Sequence, residues 1–87
     1  MIDASKFARL VAKNAETNPE SKEHFYGRLV TILFRERYSQ DDVEAINNNY
    51  LADPTNQKYA DEFRRMQHYR KTCKSRAREM LGMEDKA

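Results

Sequence analysis

Phe25, Leu29 and Leu33 recur at every fourth position, and Tyr26, Val30 and Phe34 repeat the same step one residue on. Two such rows side by side make the broad apolar stripe of a helix lying on a core. They predict a helix that starts at Asn18-Pro19, with proline at the first helical position, where its missing N–H is not needed. The helix is expected to run to about Arg37. The segment LVTILF at 29–34 also suits a strand, because Val, Thr and Ile favour sheets. The chain offers no second stretch of similar quality to pair with it, and a lone strand is not stable.

The same reading extends to the rest of the chain. Asp3 is placed to cap a short first helix with Phe7, Leu10 and Val11 on one face. The polar stretch NAETNPES breaks it. At Tyr38-Ser39 a new helix is signalled, since Ser39 and Asp42 approximate a capping box. This third helix, about 40–51, carries Val43, Ile46 and Tyr50 on one side and is weakened by Asn47, Asn48 and Asn49. Asp53-Pro54 repeats the stop-and-restart signal. A last helix, about 55–81, shows Tyr59, Phe63, Met66, Cys73, Ala77 and Met80 at alternating steps of four and three, with Tyr69 covering the gap at Arg70. That is a heptad-like seam, fit for a bundle core or a coiled-coil contact. Gly82 is well placed to end the helix.

The expected fold is therefore all-α: a small bundle of three principal helices plus a short N-terminal one. It forms a single domain over 1–87, with 1–4 and 83–87 frayed. Eighty-seven residues bury only about 60% of the unfolded surface, so stability is expected to be marginal or shared with a partner. That shortage, together with the long seam, points to self-association or a protein partner. One cysteine, Cys73, leaves no internal disulfide and suits a reducing compartment. The first residues lack the apolar run of a signal peptide, and LVTILF falls far short of the roughly 20 residues that span a bilayer. The expectation is a cytoplasmic protein with no membrane partner.

Candidate chemistry is sparse. His24 and His68 are the only histidines. His68 and Cys73, five apart, fall about 140° apart around a helix, on different faces. No CxxC, HExxH or EF-hand-like run occurs, and Gly27 and Gly82 stand alone, far from any phosphate loop. Cys73 fits a small buried hydrophobe on the seam, and His68 a solvated surface residue. No catalytic, cofactor-binding or metal-binding residue is expected, which points to a non-enzymatic protein.

One stretch adds something to this picture. RRMQHYRKTCKSRAR, residues 64–78, holds seven Lys and Arg residues and no acid. On a helix, Arg64, Lys71, Lys74 and Arg78 fall on one side, opposite Met66, Tyr69, Cys73 and Ala77. Three accounts fit. The row is a solvated face favoured by the helix macrodipole and neutralised by the acidic third helix, since residues 36–62 carry seven acids against two bases. Alternatively it contacts nucleic-acid phosphates, although no RRM, zinc-finger, KH or helix-turn-helix signature accompanies it. Or it meets a protein partner through Arg and Tyr, residue types enriched at hot spots. Arg64, Lys71, Lys74, Arg78 and Tyr69 are thus the candidate partner or phosphate contacts. The net charge of only +2 favours a protein over a nucleic acid.

The segment RERYSQDDVEAINNNYLADP, then KYADEF and YRKTCKSRA, resembles a group of short bacterial proteins found in phage and prophage gene neighbourhoods. The likeness covers roughly residues 35–80. It rests on Arg37, Tyr38 and Ser39, on Asp42 leading to Ala45 and Ile46, and on Tyr69, Cys73 and Lys74. It implies a mobile-element accessory or virion-associated protein and assigns no activity to any residue.

Overall fold

The computed structural model of the protein describes residues 3–83, and no strand occurs among them. Four helices follow one another: α1 (Ala4–Ala15), α2 (Ser21–Arg35), α3 (Gln40–Ala52) and α4 (Gln57–Leu81). The all-α expectation holds.

Each start has a local cause. The Asp3 side chain accepts the Ser5 N–H at 3.1 Å and opens α1. At α3 the capping box is complete: the Asp42 N–H donates to Ser39 Oγ at 3.1 Å, and the Ser39 N–H donates to the Asp42 carboxylate at 3.0 Å. The backbone N–H of Ser39 holds the Asp42 carboxyl below its usual range, helped by the Ser39 hydroxyl. Asn56 caps α4 by accepting the Tyr59 N–H. Gly82 ends α4 in the left-handed region at φ 68°, and the Met83 N–H reaches back to the Arg78 carbonyl at 2.8 Å.

Both proline junctions differ from the expectation. Pro19 and Pro54 lie in turns ahead of the helices, not at their first positions, so α2 starts at Ser21 and α4 at Gln57. The residue before each proline explains this. The Glu20 N–H donates to the Asn18 side chain, and the Asn56 N–H donates to the Asp53 carbonyl. Each Asx-Pro pair thus closes a turn of its own before the helix begins. At its other end α2 stops at Arg35, where Arg37 and Tyr38 bond back to Phe34 in a final turn.

The core is built from α2 and α4, which run antiparallel. The Tyr26 hydroxyl donates to the Lys74 carbonyl at 3.4 Å, and the Tyr69 hydroxyl donates to the Leu33 carbonyl at 3.3 Å. Along this contact Leu29, Leu33, Met66 and Cys73 are fully buried, with Val30, Phe34, Ala77 and Leu81 around them. Leu81 belongs to this core although the seam was expected to end at Met80, which is only half-buried. α1 covers one end of the pair through Ala4, Ala8 and Val11, with Phe7 meeting Phe25 edge to face at 6.1 Å.

Leu10 was expected on the buried face of α1. It is 55% exposed, because the face that docks runs through Ala4, Phe7, Ala8 and Val11, and Leu10 lies about 100° from it. Small alanines let α1 approach closely, and that contact outweighs the burial of one leucine. The expected fraying meets a buried Ala4 and a half-buried Met83; residues 1–2 and 84–87 lie outside the described residues.

α3 lies along the first half of α4. Tyr50 stacks on Phe63 with centroids 4.4 Å apart and planes 10° apart. Val43, Ile46 and Tyr50 face inward as expected, yet all are half-buried and α3 contributes no fully buried residue. Broken at 36–39, α2 and α3 therefore follow α4 in succession, and the molecule measures 50 × 31 × 16 Å. The α3/α4 end is an arm of two helices, whereas α1, α2 and α4 all pack on one another at the other end.

Candidate interaction surface on helix α4

The cations of α4 do not form one row. Arg64 is exposed and paired with Asp61, one turn earlier, at 2.6 Å. This contact holds the Asp61 carboxyl below its usual range. Arg78 is half-buried, with its guanidinium 5.0 Å from the centre of the Tyr26 ring. Lys71 and Lys74 are exposed and line a shallow depression with Gln67, His68 and Arg70. Arg70 itself lies over the Phe34 ring at 4.4 Å. Of the four cations predicted to act together, two are thus engaged by neighbouring side chains.

Neutralisation by the acidic third helix was also expected. α3 does pack on α4, but among the described residues no acid of α3 comes within ion-pair distance of Arg64, Lys71 or Lys74. Two of its acids serve the helix instead: Asp42 closes the capping box, and Glu44 accepts from the Gln40 side-chain amide at 3.4 Å.

Tyr69 is not a free contact. Its ring packs against Phe34 at 6.0 Å and Tyr38 at 5.7 Å, and its hydroxyl is used on Leu33. Burial pushes this hydroxyl above its usual range.

Beside Tyr69 the structure brings in a residue that periodicity did not single out. Arg37 leaves the turn after α2 and sets its guanidinium 5.2 Å from the Tyr69 ring centre and 5.8 Å from that of Tyr38. With Arg64, Arg65, His68, Tyr69 and Thr72 it lines an open cleft with no acidic wall residue. Arg65 lies about 120° from Lys71 and about 180° from Lys74 around α4. The helix therefore presents two separate cationic surfaces. The cue in the sequence was the pair Arg37-Tyr38 at a helix end, but nothing local says which part of a later helix such a pair will meet.

Cys73 is fully buried, and burial pushes its thiol above the usual range. The thiolate is the reactive form, so in the folded protein Cys73 should react with iodoacetamide at least about a hundredfold more slowly than in denaturant, at a rate set by structural opening. Equal rates in the two states would contradict its burial. Among the described residues no three His, Cys, Asp or Glu side chains group to hold a metal, and no helix is long and apolar enough to cross a membrane.

Comparison of the chain with family models, with curated proteins and with solved structures gives no match.

Proposed function

We propose that this chain is a non-enzymatic protein-interaction module, an accessory protein of the kind the phage-neighbourhood resemblance implies. One observation carries the reading. α3 packs mainly on α4, buries no residue fully and leaves Leu51 near its end 76% exposed, so the α3/α4 arm presents apolar surface that its own fold only half covers. A protein partner or a second copy of the chain supplies the missing cover.

A second reading, a small nucleic-acid-binding protein using the basic face of the C-terminal helix, draws on the exposed Lys71 and Lys74. Against it, Arg64 and Arg78 are engaged within the fold, and the remaining cations are divided between two sides of α4.

Titration with duplex DNA and with RNA separates the two readings. Weak binding at physiological ionic strength is expected, both for the natural chain and for the variant with Arg64, Lys71, Lys74 and Arg78 replaced by Gln. The immobilised chain should meanwhile retain a defined protein from the cells that make it, or sedimentation equilibrium should show association as concentration rises. Sub-micromolar binding that weakens with salt at a log–log slope near −0.9 per phosphate, and flattens in the Gln variant, would overturn the proposal. Tyr69→Ala is a poor probe here, because it also removes the tie to Leu33.

A further inference from the structure

The geometry points to the cleft between the end of α2 and the middle of α4 as a site for a carboxylate-rich segment of a protein partner, gripped by Arg37 and Arg65. The inference rests on the reading of the chain as a protein-interaction module and says what the partner must carry.

Several of the cleft's polar groups are already satisfied. The Tyr69 hydroxyl donates to Leu33, the Thr72 hydroxyl donates to the His68 carbonyl at 3.2 Å, and Arg64 is held by Asp61. Tyr69 therefore offers its ring and Thr72 its methyl group. Arg37, Arg65 and His68 are the exposed side chains left to donate into the opening. Glu36 and Arg76 are both near enough to act on the Tyr69 hydroxyl, with opposite signs.

Arg37 is prearranged for this task. Two tyrosine rings face its guanidinium, which narrows its rotamers before any ligand arrives and lowers the entropy lost on binding. A guanidinium is a planar fork that matches a carboxylate with two parallel hydrogen bonds. Two such forks beside an aromatic wall have the composition of an interface hot spot. Nucleic acid fits less well. A phosphate backbone needs cations spread along its track, whereas Lys74 lies on the far side of α4 from Arg65 and Lys71 a third of a turn away.

A fluorescent twelve-residue peptide of alternating Glu and Ala is the probe, read by anisotropy at physiological ionic strength. Its Gln-for-Glu counterpart and a single-stranded oligonucleotide of equal charge are the comparison ligands. The Glu peptide should bind, and the other two should bind at least about tenfold more weakly. The Arg37→Gln/Arg65→Gln variant should lose about tenfold or more in affinity, while Lys71→Gln/Lys74→Gln, with the same change in net charge, should lose less than about threefold. Arg65→Gln alone should also weaken binding, which keeps the site testable if Arg37→Gln loosens Tyr69. Equal losses in the two double variants would reduce the effect to net charge and sink the site. No peptide binding by a chain that still captures a cellular protein would remove this inference and leave the module reading standing. Tighter binding of the oligonucleotide would overturn both.

Discussion

Leu33→Ala should destabilise the protein by about 3–5 kcal/mol, the range for a fully buried leucine whose cavity cannot collapse. Leu33 has no exposed surface, and its own carbonyl receives the Tyr69 hydroxyl, so it stands where α2 and α4 are tied together. A domain of this length commands only about 4–13 kcal/mol in total. The variant should therefore melt at least roughly 12 °C lower, or be partly unfolded at room temperature. Thermal denaturation followed by circular dichroism measures it. Leu10→Ala, the same change on the exposed side of α1, should stay within about 0.5 kcal/mol of the natural chain. Similar losses at the two positions would mean that the face of α1 has been assigned wrongly.

Tyr50→Ala should melt α3 and leave the rest folded. The Tyr50–Phe63 stack joins α3 to α4, and an aromatic pair adds about 0.5–1.5 kcal/mol beyond the area it buries. α3 has 13 residues, a run of three asparagines and no fully buried side chain. A helix of that length is marginal in water without tertiary support. The variant should lose about a fifth of the helical signal, in proportion to the residues of α3. In hydrogen exchange the amides of Val43 to Tyr50 should lose protection, while those of Leu29 to Leu33 and Cys73 to Ala77 keep it. Loss of protection across the whole chain would show that the arm belongs to one cooperative unit with the core. This result also bears on function, because an arm that opens independently is well suited to being ordered by a partner.

Much of the framework was written locally. Ser39 and Asp42 form the reciprocal cap their spacing suggests, and Gly82 takes the left-handed conformation that ends α4. The rows Phe25, Leu29, Leu33 and Tyr26, Val30, Phe34 face the core, since a period of 3.6 residues leaves them only one shared side. Local rules went astray where two of them compete. Asn18-Pro19 and Asp53-Pro54 satisfy both a helix-start rule and a turn rule, and the turn takes precedence at each. Periodicity put Leu10 on the inner face of α1, and the approach of α2 and α4 placed Ala4 and Ala8 there instead.

For the candidate surface, the sequence by itself determined that α4 is amphipathic and cationic, because charge and periodicity are properties of consecutive residues. It could not say which cations remain available. Arg78 is drawn onto Tyr26, Arg70 onto Phe34 and Arg37 onto Tyr69, pairs separated by 52, 36 and 32 positions, whose meeting depends on how α2 crosses α4. Long cationic side chains settle on whichever ring lies within reach. That choice divided the predicted row and assembled the Arg37–Arg65 cleft, and it was made by helix packing, which no spacing within a single helix encodes.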